Sequence, residues 1–300
     1  MDPDEQLNKI RERIDAIDSQ LLDLISERAR CAREVAQVKL EAAQSEDGPP
    51  VFYRPEREAQ VLRAIQERNP GPLASDHVAS IFREIMSTCL ALEQPLSVAF
   101  LGPDGTYSQA AALKHFGQSA VPMGQASIHK VFRQVEERLC DYGVVPVENS
   151  TEGMVGQTLD CFLESPLQIT GEIELPVVHH LLASPGAELS SIKLVLGHEQ
   201  ALGQCRHWLD SQLPDLPREA VASNGEAARR AGIESGVAAI AGELAATLHH
   251  LEPLASAIQD SSSNTTRFLV LGKESVPASG HDKTSLLVSA RNRPGALLGL

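Results

Sequence analysis

Arg11, Arg28 and Lys39 share one uninterrupted stretch, residues 4 to about 42, that contains neither Gly nor Pro. Arg28 falls within an apolar series, Leu7, Ile14, Leu21, Arg28 and Val35, spaced every seven residues. A second series, Ile10, Ile17, Leu24, Cys31 and Val38, keeps the same spacing. This heptad pattern describes one long helix. A guanidinium on an apolar seam is costly unless it is paired or meets an anion. Lys39 lies eleven residues beyond Arg28. That is three turns, so the two cations share nearly one face about 16 Å apart. Two long cationic side chains at that spacing can grip a small dianion between them. Arg11 is about 42 Å from Lys39 along a straight helix, so it can serve only the site of another subunit. The spacing therefore predicts a dimer with shared sites. A helix about 60 Å long also needs more cover than a small domain of its own chain provides.

A second group of polar runs lies next to strand-like segments. Gly102-Pro103-Asp104-Gly105-Thr106-Tyr107-Ser108 follows one such segment and leads into a helix beginning near Gln109. Pro146-Val147-Glu148-Asn149-Ser150-Thr151-Glu152-Gly153 ends another. Gly197-His198-Glu199-Gln200, with Gln204-Cys205 just beyond, follows a third, and Asn264-Thr265-Thr266-Arg267-Phe268 opens a fourth. Open α/β sheets bind ligands at strand ends, and a helix N-terminus favours an anion. The pairs His179-His180 and His249-His250 diverge on a strand or a helix, which argues against metal chelation. In isolation Thr266 reads as a strand start, His198 as structural, and Asp141 and Glu152 as surface charges.

The elements that position these residues fall into two textures. After a loop over 42–50, two further helices are expected near 54–68 and 75–92, separated by Asn69-Pro70-Gly71-Pro72. Beyond Pro95, strands are expected at 96–101, 142–147, 177–182, 192–196, 237–241 and 266–271, with helical stretches between them. The fold class is thus multidomain: an all-α three-helix domain, then a two-lobed α/β domain. Three hundred residues suit two domains. The net charge of −14 argues against a nucleic-acid partner. Five cysteines without a CxxC read as reduced thiols in a cytoplasmic protein. No apolar run is long enough to span a membrane, and the acidic N-terminus is not a signal peptide.

At this point a resemblance becomes specific. The run from Leu7 to Lys39, with Arg54-Pro55-Glu56-Arg57-Glu58 and Cys89 to Gln94, resembles the all-α chorismate mutases, intertwined dimers of three-helix chains. The resemblance implies that Arg28 and the partner's Arg11 bind the two carboxylates of chorismate, and that Lys39 donates to its ether oxygen. It implies that Glu58 holds the substrate hydroxyl with support from Arg57, and that Glu93 faces the ether oxygen. The rearrangement is pericyclic, so positioning and charge stabilisation suffice. Only a protonated Glu93 can donate a hydrogen bond, so mutase activity is expected to fall as pH rises. Cys89 stands where the family often has Ser.

Residues 97–272 resemble prephenate dehydratase, in which the GPxGT(Y/F)S, PVENS and TRF signatures occur in this order. The resemblance implies two lobes around a cleft, with the chain returning to the first lobe near Thr266. Thr266 is the implied catalytic hydroxyl and Arg267 the cation for a substrate carboxylate. Glu148, Asn149, Ser150 and Gln204 are implied to line the cleft, and no cofactor or metal is required. Gly197 replaces a usual Ser, with a modest loss of binding expected. Lys283 to Leu298 resembles the opening strand and turn of an ACT domain, which implies an incomplete regulatory domain over 283–300 and no normal phenylalanine feedback.

Taken together, the chain resembles the bifunctional chorismate mutase/prephenate dehydratases. The implied domains are 1–95, 96–273 and 283–300. The expected partners are the two small-molecule substrates and a second copy of the chain, as a homodimer or higher homo-oligomer. Two rival readings are a two-lobed binding module and a helical interaction domain fused to an inactive lobe pair. Supplying chorismate and following prephenate, then phenylpyruvate, separates all three.

Overall fold

The computed structural model describes residues 2–43 and 51–286. The first helix, α1 (Pro3–Ala43), runs as the heptads require. Its N-terminal three-fifths, residues 3–27, is exposed throughout and stands clear of the other described residues. Leu7, Ile10, Ile14, Ile17, Leu21 and Leu24 are each half exposed or nearly so. The helix meets its own chain near its C-terminal end, where Ala36 is buried and α3 (Ser75–Ala91) packs against it. Between them runs α2 (Pro55–Arg68), which starts at a proline whose missing N–H would have no helical partner there.

The α/β part divides into two lobes, each built on one sheet with helices on both faces. The first lobe contains β1 (Ser97–Leu101), α4 (Tyr107–Phe116), β2 (Val121–Gln125), α5 (Ile128–Glu136), β3 (Tyr142–Asn149), β4 (Gly153–Met154), α6 (Gly156–Glu164) and β5 (Gln168–Pro176). The second contains β6 (His180–Ala183), β7 (Leu194–His198), α7 (Glu199–Gln204), α8 (Arg206–Gln212), β8 (Arg218–Val221), α9 (Asn224–Ala231), β9 (Val237–Ala241), α10 (Glu243–Leu248) and β10 (Glu252–Ala255). The chain then returns, as expected, and β11 (Thr265–Gly272) inserts into the first sheet. The strand orders are β2-β1-β3-β11-β5, with β4 paired to β3, and β10-β6-β9-β7-β8. β1 runs parallel to β2 and β3, whereas β11 is antiparallel to both β3 and β5.

The strand expected at 177–182 begins later, at His180, because the preceding residues cross between lobes. The strand expected at 284–289 and the turn at 292–298 lie outside the described residues, except for 284–286, which form no strand. Among the described residues no helix is long and apolar enough to cross a membrane.

The helical part is anchored to the first lobe by Tyr53. Its ring lies 5.6 Å from that of Phe116 and 5.3 Å from that of Tyr142, within the lobe's apolar core. The two lobes meet where α9 faces the 102–106 turn. A Cβ on Gly225 would overlap the Asp104 carbonyl oxygen, and one on Gly105 would lie 3.2 Å from the Ala245 methyl. Backbone cannot move aside as a side chain can. Gly225→Ala is therefore expected to cost about 1–3 kcal/mol. Thermal denaturation should show the melting temperature lowered by a few degrees, and an unchanged value would refute the close fit.

Candidate active sites

A cleft between the lobes holds a cavity of about 410 Å³. Its polar wall is continuous. The Asn149 Nδ2 donates to Thr266 Oγ1 at 2.8 Å and to Asn264 Oδ1 at 2.9 Å. The Asn264 Nδ2 donates to Gln204 Oε1 at 2.9 Å. That oxygen lies 2.9 Å from His179 Nε2, and His179 Nδ1 lies 3.1 Å from the Tyr107 hydroxyl. Thr266, Asn149, Asn264, Gln204, His179 and Tyr107 all line the cavity. They come from five places in the sequence, Asn264 and Thr266 sharing one run. The antiparallel register brings the first two together, because Thr266 on β11 stands opposite Asn149 at the end of β3.

Strand alternation separates the other expected residues. Neighbours on a strand face opposite ways. Arg267 and Glu148 are partners in the same register. They form an ion pair at 3.3 Å and are absent from the cavity wall. Arg267 thus is not placed to meet a carboxylate in this cavity. Ser150 is used by the backbone: its Oγ accepts from the Thr265 N–H at 3.0 Å and donates to the Ser263 carbonyl at 3.3 Å. It ties the 263–265 loop to the end of β3 rather than lining the cavity. Gly197 is also no part of the wall. A side chain there would point at Ile240 and Leu202, each 3.3 Å from an added Cβ. The glycine therefore removes no hydroxyl from the cavity, and the expected loss of binding has no basis here.

Sequence reasoning misses Tyr107, His179 and Asn264 as members of the site; Glu152, read as a surface charge, is exposed and also lines the cavity. Asn264 had a signal: it lies two residues before Thr266 in the same polar run. His179 is 2% exposed. Burial holds its imidazole below the usual range, so it is neutral at neutral pH, and burial likewise raises the Tyr107 phenol. The lining contains no Lys or Arg. An anion here is met by amide side chains, hydroxyls, imidazoles and backbone N–H groups rather than by a lysine or arginine.

In the helical part, Lys39 and Glu93 come together. The Lys39 Nζ is 3.6 Å from a Glu93 carboxylate oxygen, donates to the Phe52 carbonyl at 3.0 Å, and sits 5.4 Å from the centre of the Phe52 ring. Both side chains are largely buried. Arg28 is half-buried on α1 and Arg11 exposed near its start. Arg57 is exposed on α2. Glu58 does not join the pair. Its carboxylate faces Arg83 Nε at 3.6 Å and bonds the Tyr53 phenol. It lines a separate cavity with His115 and Glu172 of the first lobe, from which Lys39 and Glu93 are absent. The cause is Tyr53: anchored between Phe116 and Tyr142, it draws the start of α2 towards the lobe. Burial raises Glu58 above the usual carboxylate range, and burial and Arg83 together push His115 down to about 4. Cys89 is buried.

Comparison with known proteins gives each part a family. Residues 10–94 match the model of chorismate mutase type II, and residues 98–276 match that of prephenate dehydratase. The bifunctional chorismate mutase/prephenate dehydratase of Pseudomonas aeruginosa is 54% identical over 293 residues, covering 98% of this chain and 80% of the relative. The Escherichia coli enzyme of the same name is 31% identical over 324 aligned positions, at 99% and 81% coverage. Among solved structures, prephenate dehydratase from Arthrobacter aurescens, in complex with L-Phe, superposes with a TM-score of 0.59 at 30% identity, covering 68% of this chain and 70% of that one. The Staphylococcus aureus prephenate dehydratase gives 0.53 at 26% identity, covering 68% and 77%. A helical part that matches one family, a two-lobed part that matches the other, and relatives that carry both along nearly the whole chain leave one conclusion: the chain belongs to the bifunctional chorismate mutase/prephenate dehydratase family.

Proposed function

We propose that the Thr266 cavity is where prephenate becomes phenylpyruvate, and that the Lys39–Glu93 pair marks where chorismate becomes prephenate. The enzyme catalyses both steps, which belong to phenylalanine biosynthesis. The residue assignments are our reading of the geometry.

For the dehydratase, the supporting observation is the 2.8 Å bond from Asn149 to Thr266 Oγ1. The threonine oxygen accepts, so its own hydrogen is free to donate into the cavity. Prephenate loses its ring carboxylate as carbon dioxide. The electron pair of the broken C–C bond enters the ring as the hydroxyl departs, and the ring becomes aromatic. Hydroxide is a poor leaving group, so a hydrogen bond that strengthens as the C–O bond breaks lowers the barrier. Thr266 is placed to supply it. Gln204 offers a further donor to a carboxylate.

For the mutase, Lys39 would hydrogen-bond the ether oxygen and Arg28 a carboxylate. Arg11 would reach the site of a second chain. The half-exposed apolar seam of α1 supports that arrangement, since covering the exposed half of each large side chain contributes roughly 1 kcal/mol. Glu93 would need its proton to donate. The mutase rate is then expected to fall as pH rises, and Glu93→Gln, which donates at any pH, should flatten the profile. A mutase rate already flat in the parent from acid to mildly alkaline pH would sink the role of Glu93. The direct test of the whole reading is to supply chorismate and record prephenate and then phenylpyruvate. A chain that binds either acid without turning it over is a binding module.

A further inference from the structure

The polar wall of the Thr266 cavity fixes the direction of its own hydrogen bonds. Asn149 Oδ1 accepts from two backbone N–H groups, those of Thr151 at 2.9 Å and Glu152 at 3.0 Å. A backbone N–H can only donate, so this amide has one orientation. Both hydrogens of Asn149 Nδ2 are then spent on Thr266 Oγ1 and Asn264 Oδ1. With its oxygen engaged there, Asn264 presents Nδ2 to Gln204 Oε1. An amide oxygen cannot donate either, so the hydrogen between Gln204 Oε1 and His179 must sit on Nε2. The neutral ring then carries a bare Nδ1, which faces the Tyr107 hydroxyl. That hydroxyl has one hydrogen and two acceptors beside it, Nδ1 and the Val178 carbonyl at 2.6 Å; it donates to the carbonyl and packs behind the ring.

Two groups face the cavity as donors because of this order. Thr266 keeps its hydrogen because its oxygen accepts from Asn149. Gln204 turns its Nε2 outward because its oxygen is held by both Asn264 and His179. Without His179, one of those two holds is gone. The Gln204 amide could then rotate and present an oxygen, which repels a substrate carboxylate.

We propose that His179 is a positioning residue of the dehydratase site, whose Nε2–H locks Gln204 with its amide nitrogen towards the substrate. The proposal rests on the reading of the Thr266 cavity as the prephenate site. Its test uses the 300-residue chain and prephenate, in three variants. His179→Leu removes the donor. His179→Gln replaces it with an amide N–H that can occupy the place of Nε2. Thr266→Ala checks the underlying reading. A lost orienting bond of this kind should lower dehydratase kcat/KM by about 10- to 100-fold in His179→Leu. His179→Gln should recover to within about threefold of the parent, and chorismate mutase activity should be unchanged in both. In the ¹⁵N spectrum of histidine-labelled parent protein, the resonance lost in His179→Gln should belong to an Nε2–H tautomer.

Dehydratase activity of His179→Leu within twofold of the parent would overturn the proposal. So would an Nδ1–H tautomer, or a His179→Gln variant as slow as His179→Leu while its mutase rate and melting temperature match the parent. If Thr266→Ala keeps full dehydratase activity, the site assignment itself fails, and the role of His179 fails with it.

Discussion

Thr266→Ala should abolish the second step and spare the first. Phenylpyruvate formation is expected to fall by about 10²- to 10⁴-fold, the range lost with a positioned proton donor. Prephenate formation from chorismate should stay within experimental scatter, because no described residue of the Lys39–Glu93 pair contacts the lobe cavity. The size of the effect follows from the wiring around Thr266. Its hydroxyl is a weak acid, but its oxygen is held at 2.8 Å by an amide whose orientation the backbone sets. The hydrogen therefore needs no reorientation as the leaving group departs. Thr266→Ser keeps the hydroxyl and should retain most of the rate. If Ser is as slow as Ala, the methyl group matters more than the donor. Assaying prephenate consumption and phenylpyruvate appearance on one preparation settles the point.

The second large effect is expected from mixing two inactive chains. Arg11→Ala and Lys39→Ala should each lower mutase turnover by about 10²-fold or more, since each removes a charged contact to a bound anion. The residues lie some 42 Å apart on one straight helix, so they cannot act on the same substrate from one chain. If each site takes Arg11 from one chain and Lys39 from the other, a mixed dimer has one site with both lesions and one with neither. Unfolding and refolding the two variants together should then restore about a quarter of the parent rate, because half the dimers are mixed and half their sites intact. No recovery, with dimers formed, would refute shared sites. The apolar residues left exposed along α1 are the physical reason to expect partner exchange to require unfolding.

Much of this architecture can be read from the sequence, and the parts that cannot share a cause. The long helix is legible because its apolar residues repeat every seven positions. The inner strands β1, β3, β9 and β11 are legible as short apolar runs. β2, β5, β8 and β10 were missed, and each is a sheet edge. Edge strands keep one side open to solvent, so they carry polar residues such as Arg218 and Glu219 and lose the apolar run that betrays an inner strand. The site divides in the same way. Thr266, Asn149 and Gln204 stand out in polar runs, and the structure brings them to one wall. Arg267 and Glu148 stand out equally but face away. The alternation that separates His179 from His180 applies equally to Thr266 and Arg267. His179 and Tyr107 were hidden because one sits beside a largely buried strand and the other opens a helix, places where polar groups usually serve packing. Glu58 went astray for a longer-range reason. Nothing local shows that Tyr53 would be captured by Phe116 and Tyr142 of another domain.

The return of the chain through β11 has a consequence for synthesis on the ribosome. Lobe two is contiguous, from His180 to Ala255, and all five of its strands are available once that stretch has emerged. Lobe one begins earlier yet finishes later, because the strand between β3 and β5 is the last to be made. Until then β3 and β5 both present open hydrogen-bonding edges to the cell. The usual order, in which the N-terminal unit folds first, is thereby reversed. The strand that carries Thr266 is also the one that closes its sheet, so a nascent chain gains its dehydratase chemistry and loses its exposed edges in a single event.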